Sequence, residues 1–171
     1  MKKVTTTIIS GFPGVGKSEF FRNQEYNNRT VLDSDSSEFS WVKDENGNNT
    51  KERNPDFPSN YIDHIKENLG KVDIIFISSH DVVRKALEEA NLKYVLVYPE
   101  IGAKEEYIRR YKERGNDEGF INFISNNWGK FITDMQNEEF PYKKELEEWQ
   151  YLSSLGVIFS CENIDCWEVV D

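Results

Sequence analysis

The chain has 171 residues, about one domain's worth at roughly 150 residues per domain, and a chain this long buries about 70% of its unfolded surface without staples. Hydrophobic residues make up 37% and aromatics 13% against 30% charged, which excludes a disordered chain, since such chains lack the bulk that offsets ordering entropy. With 31 acids against 21 bases the formal charge is −10, which disfavours bulk nucleic acid, whose binders carry basic surfaces, and still allows a local basic pocket.

Cys161 and Cys166 fall short of the four ligands of a structural zinc site and read as free thiols in a reducing compartment. After Met1-Lys2-Lys3 the apolar stretch is interrupted by Thr5, Thr6 and Thr7 and stops at Gly11 and Pro13. That is too short for a signal segment or a membrane span, so a cytoplasmic protein with no membrane partner is expected.

Along the chain, Val4 to Ser10 is β-branched and reads as a buried strand. A short helix follows from Ser18 to about Asn27, then a short strand at Thr30-Val31-Leu32 closed by Asp33 and Asp35. Lys43 to Pro58 is rich in Asn, Gly, Asp and Pro; its Asn46-Gly47 either closes a hairpin between Trp41 and Thr50 or sits in a mobile loop. Ser59 is a candidate cap for a helix carrying Tyr61, Ile62, Ile65 and Leu69. Val72 to Ser79 is a continuous apolar run, the pattern of a strand covered on both faces. Asp81 to Asn91 is an amphipathic helix with Val82, Val83, Ala86, Leu87 and Ala90 on one face. Lys93 to Pro99 is a strand, followed by helices at about Lys104–Arg114, Phe120–Glu138 and Tyr142–Leu155, and a last strand at Val157–Ser160. Ile124, Trp128 and Phe131 recur at helical spacing, as core residues do. This alternation predicts one α/β domain over residues 1–171 with a largely parallel sheet.

The first strand runs into Gly11-Phe12-Pro13-Gly14-Val15-Gly16-Lys17-Ser18, a full match to the phosphate-loop pattern. Its glycines let the backbone turn so that N–H groups converge on phosphate oxygens, and the helix opening beside Ser18 adds its positive dipole end. Lys17 reaches the β- and γ-phosphates and the Ser18 hydroxyl ligates Mg²⁺. The expected nucleotide-binding set is Gly11, Pro13, Gly14, Val15, Gly16, Lys17, Ser18 and Glu19, with Mg²⁺ and ATP as ligands. A GTPase would carry Asn-Lys-x-Asp, which does not occur, and the long buried strand ends in Ser78-Ser79-His80 rather than in a motor's acid. The acids sit instead at Asp33-Ser34-Asp35, where alternate strand residues face the same side and the crevice of an open α/β sheet binds ligands. A turn or helix cap is the competing role for these acids.

On the phosphate loop, the Asp-x-Asp after the second strand and the arginine-bearing helix after the fourth, the sequence resembles the small phosphate-loop kinases: nucleoside monophosphate, shikimate and gluconate kinases. The resemblance spans nearly the whole chain in element order. It implies a three-layer fold with a five-stranded parallel sheet in the order 2-3-1-4-5, helices on both faces and a helical lid. It gives Asp33 to the Mg²⁺ shell and Asp35 to the acceptor. Arg110 and Arg114, four apart and so on one helix face, become lid arginines that gather the transferred phosphoryl over a 104–120 lid; Arg109 is a candidate to stack on the adenine. The acceptor region is residues 36–71, where Phe39 and Trp41 either stack on a ring or pack in the core, and Arg53, the segment's only arginine, either grips a phosphate or lies on the surface. His80 is read as a hydrogen-bonded loop histidine, and His64 as a surface residue.

The expected activity is transfer of the γ-phosphoryl of Mg-ATP to a small phosphorylated acceptor, most of all a (deoxy)nucleoside monophosphate, by a monomer or homodimer. A kinase of a small hydroxylated metabolite or of a 5′-hydroxyl polynucleotide end is the alternative. A nucleotide-binding regulatory ATPase is the alternative of another class.

Overall fold

In the computed structural model, residues 5–22 and 29–154 are described. The main sheet has five parallel strands: β1 (Thr7–Gly11), β2 (Val31–Asp33), β5 (Ile74–Ser78), β6 (Val95–Pro99) and β7 (Tyr142–Leu146), laid side by side as β2-β5-β1-β6-β7. Counted within this sheet alone, the order is 2-3-1-4-5, as expected. Between β2 and β5 the chain makes a one-turn helix α2 (Ser37–Ser40) and an antiparallel pair, β3 (Trp41–Lys43) and β4 (Asn49–Arg53). The remaining helices are α1 (Lys17–Arg22), α3 (Ser59–Asn68), α4 (Asp81–Glu89), α5 (Lys104–Glu113) and α6 (Glu118–Asn137).

The central strands follow from composition. Thr7-Ile8-Ile9-Ser10-Gly11 and Val95-Leu96-Val97-Tyr98-Pro99 are buried at every position, and only Ser78 of β5 is partly open. A strand buried on both faces needs cover on both, which the helices supply. β1 pairs with β5 over Thr7↔Ile74 to Gly11↔Ser78 and with β6 over Ile9↔Val95 to Gly11↔Val97. The Asp117 carboxylate caps α6, accepting from the Phe120 N–H at 2.8 Å. Ile121, Ile124, Trp128, Ile132 and Met135 of that helix are buried, and Phe131 packs at the edge of the same core.

Several expectations need correction. Tyr142 begins the fifth strand, not a helix: Tyr142 to Leu146 pair in register with Val95 to Pro99. Only Leu146 of the strand is fully buried, so its apolar signal is weak, and the open edge of β6 decides its conformation over local propensity. The strand expected at 157–160, both cysteines, and the part of the first helix beyond residue 22 lie outside the described residues. Asn46-Gly47 does close a hairpin, with Gly47 at φ 80°. Ser59 is the first residue of α3 rather than its cap, since Pro58 holds that position. Val82 is 47% exposed and lies off the buried face formed by Val83, Arg84 and Leu87. No helix among the described residues is long and apolar enough to cross a membrane.

One buried contact bears directly on the Asp-Ser-Asp segment. The Ser34 N–H continues the ladder by donating to the Phe76 carbonyl at 2.9 Å. The Ser34 carbonyl accepts from the hydroxyl of Tyr61, a fully buried α3 side chain, at 2.7 Å. Burial pushes that phenol up to about 12, so it remains a donor throughout the neutral range. Tyr61→Phe strands the carbonyl and is expected to cost about 1–2 kcal/mol, read as a fall of a few degrees in thermal midpoint; an unchanged midpoint would mean the bond is not made in solution.

Candidate active site

The loop from Phe12 to Gly16 stands at the C-terminal end of β1. Its conformation requires glycine at two positive-φ positions, Gly14 at 91° and Gly16 at 97°. Gly11 is required for a different reason: a Cβ there would come within 2.9 Å of Lys17 Cδ and Val15 Cγ2. Phe12 and Val15 turn inward and are buried, with the Phe12 ring edge-on to Trp128 at 5.5 Å. The Phe12 N–H donates to the Val97 carbonyl at 2.9 Å, tying the loop to β6. Lys17 opens α1 and folds back, its Nζ donating to the Gly11 carbonyl at 2.7 Å and toward Ile77 O at 3.5 Å.

Above the loop lies a cleft of about 830 Å³. One wall is Pro13, Gly14, Gly16, Lys17, Ser18, Glu19 and Arg22; the facing wall is Asp33, Ser34, Asp35, Ser36, Ser78 and His80. Arg110, Glu113, Arg114, Asn116, Phe120 and Tyr151 complete it. The structure thus brings Lys17, Ser18, Glu19, Asp33, Asp35 and Arg114 together as the sequence led one to expect. Val15 supports the loop from the core side and is not part of the lining.

Electrostatics in the cleft follow from desolvation at close quarters. Burial lowers the Lys17 ammonium from 10.5 to about 8; the Asp33 and Asp35 charges offset part of this, and Arg114 adds slightly to it. Asp33 is raised by desolvation, with Lys17 opposing, Asp35 adding and a Ser18 hydrogen bond opposing. His80 is lowered, first by desolvation and then by Lys17, so its imidazole is neutral at pH 7. Asp35 is oriented by the Ser37 N–H, which donates to its Oδ1 at 2.9 Å; that is the turn-stabilising role, and it fixes the carboxylate at the cleft it lines. Among the described residues no group of three or more His, Cys, Asp or Glu forms a cation cage. The Ser18 hydroxyl beside the Asp33 carboxylate is the oxygen-only, incomplete donor set that suits Mg²⁺, which keeps waters and phosphate oxygens in its shell.

Other expected residues have different places. Arg110 is buried, and all three nitrogens of its guanidinium are engaged: Nε to Glu106 at 3.0 Å, Nη1 to the Gly14 carbonyl at 3.0 Å, and Nη2 to the Glu148 and Gln150 carbonyls at 2.8 and 3.3 Å. It lies between the rings of Tyr107 and Tyr151 and ties α5 to the loop at the margin of the cleft. Arg109 points outward and pairs with Glu106 and Glu113, away from the cleft lining. Phe39 packs on Tyr61 and His64 at 5.1 and 4.7 Å, so its core role holds. Trp41 and Arg53 are cross-strand partners on the hairpin, the guanidinium 3.9 Å from the indole centroid, and neither lines the cleft. Sequence reasoning missed Arg22, Tyr151, Asn116 and Phe120. Arg22 was discoverable, lying four residues after Ser18 on the same helix face; Tyr151 carried no local signal.

The lowered Lys17 has a pH consequence. Its folded value, about 8, lies below the ordinary 10.5, so the folded chain bears the cost of holding the ammonium fully below pH 8. That cost disappears between pH 8 and 10.5, where the unfolded chain binds the extra proton. A bound triphosphate pulls the value back up. Calorimetry of MgATP binding in that window, in two buffers of different ionisation enthalpy, is expected to record uptake of up to about one proton, with affinity falling as pH rises. Lys17→Met should remove both effects; uptake that survives the substitution would place the proton elsewhere.

No protein-family model matches the chain, and no curated protein sequence does. Among solved structures, a gluconokinase from Sinorhizobium meliloti 1021 is similar over 90% of this chain and 88% of its own, at 15% identity and a TM-score of 0.49. A likeness at that level carries no argument about chemistry, which rests on the cleft itself.

Proposed function

We propose that this chain is a phosphotransferase that moves the γ-phosphoryl of Mg-ATP to a hydroxyl group of a small acceptor. The observation that carries the choice of a hydroxyl is the makeup of the wall facing the loop. Asp33, Ser34, Asp35, Ser36, Ser78 and His80 line it, and Arg53, the only arginine of the 36–71 segment, is stacked on Trp41 instead. Such a wall suits a neutral polar acceptor and repels a dianionic one.

The donor's phosphates lie on the loop amides and the α1 N-terminus. Lys17 and Arg114 neutralise charge spread over the transferred group, since this chemistry is mainly positioning and electrostatics. The exposed Arg114 side chain has no ion pair among the described residues, and it reaches the same cleft from the end of α5. Ser18 and Asp33 would hold Mg²⁺, which would supply charge neutralisation for the donor's phosphates. Asp35 accepts the proton of the acceptor hydroxyl as that oxygen attacks in line, a task a phosphate acceptor would not need. A second reading, the (deoxy)nucleoside monophosphate acceptor, draws on Arg22, which lines the cleft beside the loop and can supply a bidentate phosphate contact.

A coupled ADP-release assay over polyols, sugars, nucleosides, nucleoside monophosphates and 5′-hydroxyl oligonucleotides tests the reading. Turnover is expected with a small hydroxylated acceptor, reduced about 10²–10⁴-fold in kcat by Asp35→Asn and by at least about 10³-fold by Lys17→Ala. Turnover with monophosphates alone, and insensitive to Asp35→Asn, would select the second reading. ATP hydrolysis indifferent to every acceptor would favour a regulatory ATPase.

A further inference from the structure

Three consecutive carbonyls of the loop, those of Pro13, Gly14 and Val15, each accept a hydrogen bond from another part of the chain. Tyr111 Oη donates to the Pro13 carbonyl at 2.7 Å. Arg110 Nη1 donates to the Gly14 carbonyl at 3.0 Å. The Leu152 N–H donates to the Val15 carbonyl at 2.9 Å. The donors come from α5 and from the segment after β7, so distant parts of the chain converge on one turn.

Peptide planarity gives these bonds a consequence for phosphate binding. In a trans peptide the N–H of a residue lies opposite the carbonyl of the one before it. Drawing the Pro13 and Val15 carbonyls outward therefore turns the Gly14 and Gly16 N–H groups the other way, toward the cleft that both glycines line. The middle peptide closes the turn internally, since the Val15 N–H donates to the Phe12 carbonyl at 3.2 Å. Glycine lacks the side chain that would restrict these planes, and both glycines sit at positive φ, so without outside donors the planes are easily rotated. Close packing adds to the constraint: a Cβ on Gly14 would meet the Tyr111 and Tyr107 rings at 3.0 and 3.1 Å, and one on Gly16 the Tyr151 ring at 3.2 Å.

We infer that Tyr111 is a positioning residue for the donor: its hydroxyl presets the Gly14 amide for a phosphate oxygen, with Arg110 holding the neighbouring peptide. This rests on the reading of Gly11–Ser18 as the donor-phosphate loop. Tyr107, one turn earlier on α5, is the internal comparison. Both rings are fully buried and touch edge to face at 6.3 Å, yet the Tyr107 hydroxyl makes no hydrogen bond to the loop among the described residues and lies beside the Arg110 guanidinium instead. Removing the two hydroxyls in turn separates the bond to the loop from the packing of the stack.

The experiment measures binding of MgATP and of magnesium tripolyphosphate by calorimetry, and KM for donor and acceptor separately, for Tyr111→Phe and Tyr107→Phe, with thermal midpoints alongside. Tyr111→Phe is expected to weaken both ligands about 5- to 10-fold, the size of one hydrogen bond, and to raise the donor KM while the acceptor KM stays constant. Tyr107→Phe should remain within about twofold of the parent. Arg110→Lys, which keeps a cation beside Tyr107 and Tyr151 but loses the fork, is the second variant and should weaken the same ligands. Equal affinities for Tyr111→Phe and Tyr107→Phe, or donor and acceptor KM rising together, would overturn the inference and leave Tyr111 a packing residue. Lys17→Ala distinguishes the two levels: if it too leaves tripolyphosphate binding unchanged, the donor-loop reading itself fails.

Discussion

The site depends on one constraint, the enclosure of β1 between β5 and β6. Its five residues are all buried and its backbone is paired along both edges. A strand held this way has no slack, so the phosphate loop that leaves its last residue starts from a fixed point in space. Phe12 is bonded to the neighbouring β6, and Lys17 returns across β1 toward the end of β5. β2 joins the far side of β5 in register, Asp33 opposite Phe76. The acidic wall is thereby set across from the loop by strand pairing, at the C-terminal edge where open α/β sheets bind ligands.

An excess of ten negative charges is, taken in bulk, ill suited to polyphosphate. The structure resolves this by locality. Cationic groups converge at the loop, with Lys17, Arg22, Arg110 and Arg114 all at the cleft, while acids such as Glu113 and Glu106 pair with arginines along α5. Arg110 acts at one remove: its charge is balanced by Glu106 and its N–H groups hold backbone. The chain thus treats two arginines one helical turn apart in different ways, one as framework and one as a surface cation open to the cleft.

How much of this was legible in the sequence depends on how local the cause is. The loop was legible because its glycines, lysine and serine act within eight residues. β5 and β6 were legible because a doubly covered strand is a continuous apolar run. Asp33 and Asp35 both line the cleft, but only Asp33 belongs to the strand, and the Asx-type bond from the Ser37 N–H shows that the turn role and the position at the cleft coexist. β7 was not legible: Tyr-Lys-Lys-Glu-Leu has too few apolar residues to announce a strand, and its conformation comes from the edge of β6, more than 40 residues earlier. The burial of Arg110 was hidden for the same reason, since its carbonyl acceptors lie 96, 38 and 40 residues away. The pairing of Trp41 with Arg53 was not implicit in the turn at Asn46-Gly47, because the register shifts between Lys43 and Trp41, and the separation of that hairpin from the cleft was set by tertiary packing.

Among the described residues β2 and β7 form the margins of the main sheet, and both bear on how the molecule would meet its own copies. Among the described residues, β2 offers only three residues and ends in the exposed carboxylate of Asp33. β7 presents Lys143 and Glu145 as exposed side chains, bound to Gln136 of α6 through its carbonyl and its amide respectively. A second chain adding a strand at either margin would have to dehydrate those charges or tear them from the helix. Brevity at one end and charge at the other are the devices by which a sheet with an apolar centre avoids polymerising through its edges. The weak apolar signal that obscured β7 in the sequence is the same property that, among the described residues, gives this margin its charge.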